Sequence, residues 1–289
     1  MTAERIRSGL IAFACGDALG VPWEGRVASQ IDAAALDTLP RRGDWPRGAT
    51  SDDTEQLVML AENLIGSGGA GDPRAFLTRL AEAMPTMRGI GPTTLRAIAR
   101  FTQDGSLHAT KGASNGAIMR VLPIGWATPA DAAGRRRALV DSLIRTTHGA
   151  PTALAAACAV AAMGSYALEG RSIDELIAVA MEEIEPFRLG ESKIIDRAAR
   201  GEWEPGELGV SIDAMDTLAA VVQVIRREED PAAAMRRAVL LGGDTDTVAA
   251  ITGGVLGCRH DTIDIPWAGR AELPAGLDAL AHGLHALRA

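Results

Sequence analysis

Apolar residues recur at helical spacing along most of the chain, and the strict alternation of half-buried strands is hard to find. Between Asp53 and Ile65, Leu57, Leu60, Ala61 and Leu64 fall on one face. Between Ile212 and Ile225, Ala214, Leu218, Val221, Val222 and Ile225 do the same. Comparable patterns cover residues 3–15, 73–83, 91–102, 134–146, 151–168, 172–182, 231–241, 247–257 and 274–287. The pattern predicts an all-α chain of about a dozen helices. Prolines punctuate these runs and rarely interrupt them. Pro40–Thr50 and Ser67–Asp72 are predicted loops, the second a flexible tip. Gly16–Gly20 is expected to close the first helix with a turn. With no internal repeat and no linker-like stretch, one compact domain over residues 1–289 is expected.

Composition narrows the function classes. Lys plus Arg number 29 and Asp plus Glu 37, a formal charge of −8. Such a chain is a poor candidate for wrapping nucleic acid, whose backbone demands clustered positive charge. Cys15, Cys158 and Cys258 are far apart and form no CxxC pair, which indicates neither a disulfide framework nor a zinc knuckle. They are expected as buried small hydrophobes in a reducing cytoplasm. The most apolar run, Ala153–Leu168, is Ala-rich and shorter than the roughly 20 residues that span a bilayer. It is expected to be a buried core helix, and no membrane partner is expected.

Two acidic clusters carry the candidate chemistry: Ser51-Asp52-Asp53-Thr54 and Gly242-Gly243-Asp244-Thr245-Asp246-Thr247. Each precedes an apolar helical run, and each places two carboxylates beside hydroxyls. Such oxygen-rich sets suit Mg²⁺, Ca²⁺ or Mn²⁺ rather than zinc or copper. Taken singly, each also reads as a helix cap, with Asp52-x-x-Glu55 at capping-box spacing. In an extended loop, Asp244 and Asp246 would point to the same side and reach one ion. Gly242-Gly243 would permit close backbone approach. Gly89-Ile90-Gly91-Pro92-Thr93-Thr94 and Lys111–Arg120 have the texture of anion or nucleotide loops. Glu24 reads by itself as a surface acid, and His148 as a loop histidine with no nucleophile beside it in sequence.

Together and in this order, these segments resemble the ADP-ribosylglycohydrolase family. The carrying residues are Gly16–Gly20 with Glu24, Ser51–Thr54, Gly91–Thr94, Ser114–Arg120 and Gly242–Thr247. The resemblance implies an orthogonal all-α bundle with a binuclear Mg²⁺ site at helix N-termini, which Mn²⁺ would also fill. It implies Ser51, Asp52, Asp53, Asp244, Asp246 and Thr247 as metal ligands, Ser51 standing where members usually carry Thr. It implies Gly91, Thr93, Gly112, Ser114, Asn115, Gly116 and His148 as contacts to ADP-ribose, with Asp53 and Glu24 as catalytic acids. The implied reaction is hydrolysis of the bond between ADP-ribose and its acceptor, foremost an arginine side chain of a modified protein. Serine-linked, O-acetyl and nucleic-acid-linked ADP-ribose are the other acceptors in view. A non-catalytic ADP-ribose binder and a Mg²⁺-dependent phosphohydrolase are the competing classes. A monomer is expected.

Overall fold

The computed structural model describes residues 3–190 and 192–288. Among them are thirteen α-helices and no sheet. They are α1 (Ala3–Gly20), α2 (Asp52–Gly66), α3 (Pro73–Ala83), α4 (Pro92–Asp104), α5 (Leu122–Trp126), α6 (Ala133–Ile144) and α7 (Pro151–Leu168). They continue as α8 (Ile173–Ile184), α9 (Ser192–Ala199), α10 (Ala214–Arg227), α11 (Pro231–Val239), α12 (Thr245–Gly257) and α13 (Leu277–Ala286). The all-α expectation holds, and the helices form a compact bundle. Proline opens α3, α4, α7 and α11 at a position that needs no N–H donor.

α7 is buried along nearly its whole length against α5, α6, α8 and α10, as a core helix. Cys15, Cys158 and Cys258 are buried and unbridged. The scarcity of aromatics has a counterpart in the packing. α1 and α12 are rich in Gly and Ala and approach at backbone distance. A β-carbon on Gly16 would lie 2.3 Å from the Ala249 carbonyl oxygen, and one on Gly253 would lie 2.4 Å from that of Ala12. Small residues here replace bulk with backbone proximity.

This packing corrects the expected turn at Gly16–Gly20. α1 continues to Gly20 and passes directly into a 3₁₀ turn, Val21–Trp23. A β-carbon on Gly20 would lie 2.3 Å from the Asp246 Cα. The glycines therefore serve close helix contact rather than helix termination. Two helices escaped the pattern. α5 is five residues long and buried at every position, so it has no polar face to reveal a period. α9 lies within Glu185–Gly209, which reads as loop because of its short length and flanking glycines.

Candidate active site

The first acidic cluster is built on α2. Ser51 is the N-cap, its hydroxyl accepting from the Asp53 N–H at 3.2 Å. Asp52 is thus the first helical residue, and the capping box suggested by Asp52 and Glu55 does not form. A residue not singled out from sequence organises this turn. Asp17, fully buried near the end of α1, accepts from the Ser51 N–H at 3.0 Å and the Thr54 N–H at 3.1 Å. It also accepts from the Thr54 hydroxyl at 2.5 Å. One carboxylate thus latches the start of α2 onto α1.

The second cluster opens α12. Asp244 is its N-cap and Asp246 lies in its first turn, so their approach comes from a helix start rather than an extended loop. Gly242 and Gly243 both have positive φ, 72° and 77°. Gly243 donates to the Arg26 carbonyl at 2.8 Å, and its own carbonyl accepts from the Gly25 N–H at 2.8 Å. On its other side, a β-carbon at Gly243 would lie 2.1 Å from the Val210 carbonyl oxygen. Only glycine fits between these two strands of backbone. The pairing also carries Glu24 to the second cluster. Ligand oxygens of Glu24, Asp244 and Asp246 lie within 4.8 Å of one another. Glu24 is half-buried and ion-paired with Arg42. It is therefore part of the cluster rather than a free surface acid.

The clusters meet in a cavity of about 300 Å³ lined by Glu24, Ser51, Asp52, Asp53, Asp244, Asp246 and Thr247 at one end. Gly91, Thr93, Ser114, Asn115, Gly116 and His148 line the rest, together with Ile90, Met119 and Ile212. Gly112 lies outside this cavity, in a neighbouring cleft that shares Thr93. At the carboxylate end, Asp52, Asp53, Asp244 and Asp246 are all buried, with Asp17 behind them. Burial pushes the Asp17 carboxyl up to about 6. Burial and the neighbouring Asp17 push Asp52 up to about 7. Asp53 and Asp246 are driven well above the carboxylate range, first by burial and then by adjacent carboxylates. Burial raises Asp244 too, opposed by hydrogen bonds from Asp246 and Asn115.

Asn115 donates through Nδ2 to Asp244 Oδ2, and to Thr217 Oγ1 at 2.9 Å, which fixes the Asp244 rotamer. Gln56 Nε2 donates to Asp52 Oδ2 at 2.7 Å, and Gln56 Oε1 accepts from Arg120 at 3.0 Å. Arg120 is fully buried, its pKa lowered by burial to about 10 against the pull of Asp52 and Asp53. It remains a cation at neutral pH. Two carboxylate oxygens stand apart: Asp53 Oδ2 and Asp246 Oδ1 are buried with no hydrogen-bond partner. Buried carboxylates are stable as anions only when paired or bound to a cation. A crowded, acceptor-only oxygen set with orphaned atoms fits a hard divalent cation.

The other end is ordered differently. Arg120 donates to the Thr147 hydroxyl, which lies 2.7 Å from His148 Nδ1. With Ser114 donating its own proton to Thr93 Oγ1, its oxygen is left to accept from His148, which lets Thr147 donate to Nδ1 and puts the imidazole proton on Nε2. That N–H meets the Ser114 hydroxyl at 2.9 Å, and Ser114 donates to Thr93 Oγ1 at 3.2 Å. Burial, Arg120 and Arg96 hold His148 well below the usual histidine range, so it is neutral. Gly116 leaves room for its ring: a β-carbon there would lie 2.7 Å from Cε1.

An all-helical bundle whose central cavity joins an acidic cage to a hydroxyl-lined arm defines a class with known members. The family model for ADP-ribosylglycohydrolase matches residues 1–289, and the chain belongs to that family. A solved structure described as an ADP-ribosylglycohydrolase-related protein complex superposes with a TM-score of 0.82 at 30% identity, covering 99% of each chain. The ADP-ribosyl-[dinitrogen reductase] glycohydrolase of Rhodospirillum rubrum is 26% identical, over 93% of this chain and 91% of its own length. An ADP-ribosylarginine hydrolase of Serratia proteamaculans is 26% identical, over 91% of this chain and 73% of its own.

Proposed function

We propose that this protein hydrolyses the glycosidic bond between ADP-ribose and an arginine side chain of a modified protein, with divalent cations held at the carboxylate end of the cavity. The family supports the hydrolase class, and the two bacterial relatives named for ADP-ribosylated proteins motivate the arginine acceptor. The observation that carries the cation is the pair of buried, unpartnered oxygens Asp53 Oδ2 and Asp246 Oδ1. Ser51, Asp52, Asp53, Asp244, Asp246 and Thr247 would hold two Mg²⁺ ions, or Mn²⁺ in their place. Such ions neutralise the crowded carboxylates, align ribose hydroxyls and lower the pKa of a coordinated water.

The chain's own residues supply the rest. Asp244 is locked by Asn115 and Asp52 by Gln56, so the donor set is preorganised. Once a cation neutralises the neighbouring carboxylates, Asp53 would be ionised and its second oxygen would accept a proton from attacking water. Glu24, a half-buried residue of the cavity lining, would exchange a proton with the leaving group once it parts from Arg42. Ser114, Thr93 and neutral His148 offer hydrogen bonds without charge to the remainder of ADP-ribose, with Gly91, Asn115 and Gly116 leaving space for it.

A second reading has its own observation. Gly89 lines the cavity, and a β-carbon on it would lie 3.5 Å from Trp45 and 3.2 Å from Asp52 Oδ1. Arg42 and Arg88 lie 4.9 and 5.7 Å from the Trp45 ring centre. Both arginines are ion-paired, Arg42 with Glu24 and Arg88 with Glu272, and would meet a phosphate-bearing acceptor only on parting from these acids; that arrangement favours nucleic-acid-linked ADP-ribose over the serine-linked and O-acetyl forms. The test is release of ADP-ribose from defined arginine-, serine-, acetyl- and nucleic-acid-linked substrates, with and without Mg²⁺. Cation-dependent release from the arginine substrate is expected. Release from none of the four would overturn the enzyme reading, and ADP-ribose binding without turnover would favour a non-catalytic binder.

A further inference from the structure

Arg120 is fully buried, lies outside the cavity lining and has no role in the proposed hydrolysis. Among the described residues it forms no ion pair. Its guanidinium donates only to neutral groups: Gln56 Oε1 at 3.0 Å, the Gly116 carbonyl and the Thr147 hydroxyl. The Phe76 ring centre lies 5.4 Å from its Cζ, and its Nε has no partner. A buried cation with no carboxylate beside it is a costly arrangement. The acids whose field favours its charge are Asp52 and Asp53, in the cage.

Gln56 joins the two. It stands one turn after Asp52 on α2, so both side chains lie on one face. Its Nε2 donates to Asp52 Oδ2 at 2.7 Å, while its Oε1 accepts from Arg120. The reverse amide would set Oε1 against the carboxylate and Nε2 against the guanidinium, so only one sense fits. On the far side of Arg120, the Thr147 hydroxyl lies 2.7 Å from His148 Nδ1, and His148 Nε2 lies 2.9 Å from the Ser114 hydroxyl. Asp52, Gln56, Arg120, Thr147 and His148 are all buried. They form one polar path through the core, from the carboxylate end of the cavity to the hydroxyl end.

We propose that Arg120 is a positioning residue that couples the two ends of the cavity: occupation of the cage holds Asp52, and Gln56, Arg120 and Thr147 carry that restraint to His148. The coupling rests on the cation reading for its trigger, but its path runs through the protein and uses no atom of the ligand. A ligand that meets an already ordered His148 removes less conformational freedom on binding. By linkage, the ligand tightens cation binding by the same factor.

The experiment reads His148 directly. Mg²⁺ is titrated into the cation-free full chain, without ADP-ribose, while the imidazole nitrogens are followed by NMR in the wild type, Gln56→Met and Arg120→Lys. The His148 signal is identified by its loss in His148→Gln, and calorimetry fixes the Mg²⁺ concentration that saturates each protein. Saturation is expected to shift the His148 nitrogens in the wild type and to leave them unmoved in both variants. ADP-ribose affinity should gain roughly tenfold more from Mg²⁺ in the wild type than in either variant. Arg120→Lys keeps the Asp52–Gln56 bond and Gln56→Met keeps the guanidinium, so whichever variant folds and binds Mg²⁺ decides the comparison. An equal His148 shift in a cation-loaded variant, or none in the cation-loaded wild type, overturns the coupling alone. Absence of any cation binding by the wild type overturns the cation reading and the coupling with it.

Discussion

The two ends of the cavity are built on opposite terms. At the hydroxyl end, Arg120, Thr147, His148, Ser114 and Thr93 form an unbroken hydrogen-bonded chain from the core to the cavity wall. At the carboxylate end, buried acids crowd together and two of their oxygens have no partner. A network partnered at every atom but Arg120 Nε costs the fold little and fixes a surface for a ligand to read. An unsatisfied, like-charged one destabilises the fold until a counter-ion arrives. The difference separates a preformed contact surface from a site whose completion lies in what it binds.

Asp246→Ala strikes the frustrated end directly. It should cut turnover by more than roughly a thousandfold, the scale of several kcal/mol of lost charge stabilisation, and weaken cation binding in parallel. Steady-state kinetics at saturating Mg²⁺ would check this; retained activity would detach the cage from the chemistry. Asp17→Ala acts one layer behind. It leaves the Ser51 and Thr54 N–H groups without their acceptor, so turnover should fall roughly 10–100-fold even with cation saturating. Restoration by Asp17→Glu but not by Asp17→Asn would mark the charge, and not only the hydrogen bonds, as what matters.

Gly20→Ala tests the scaffold beneath both clusters. A methyl group there meets the Asp246 backbone, and Thr245 Oγ1 donates to the Gly20 carbonyl at 2.8 Å beside it. The substitution should cost about 1–3 kcal/mol in denaturant unfolding, with weaker cation affinity as α12 shifts. An unchanged midpoint would show that the α1–α12 contact yields.

The pH dependence concerns one end of the cavity only. Carboxyls raised in the fold keep protons that the unfolded chain has already released. Without cations, this stability contribution is full at low pH. It is lost as pH rises from about 4, through about 6 for Asp17 and about 7 for Asp52. Saturating divalent cation should flatten the fall. A metal-free unfolding midpoint that rises from pH 4 to 7 would contradict the frustration at this end.

The same division explains what the sequence could reveal. Helices with one apolar face announced themselves by period, and the acidic clusters by density of carboxylates and hydroxyls in a few residues. Asp17 did not. It stands among Gly and Ala near a helix end, in a stretch that reads as a turn, and its role exists only because α1 runs on to meet α2. Glu24 read as a surface acid because its partners come from α12, through backbone pairing at Gly243 that no local pattern encodes. α5 was hidden by burial on all sides, and α9 by its short length. Gly112, which the resemblance implies as an ADP-ribose contact, has a positive φ and lines a neighbouring cleft that shares Thr93 with the cavity. Local chemistry was legible, and long-range latches were not.

The most direct test of the cation cage is calorimetric titration of Mg²⁺ and Mn²⁺ into metal-free protein, wild type beside Asp53→Asn. The cage predicts saturable binding to the wild type that is lost or severely weakened in Asp53→Asn, while the variant's metal-free form unfolds at a higher temperature because folding no longer has to protonate that buried acid. Equal cation binding by both proteins, or none by the wild type, would contradict it.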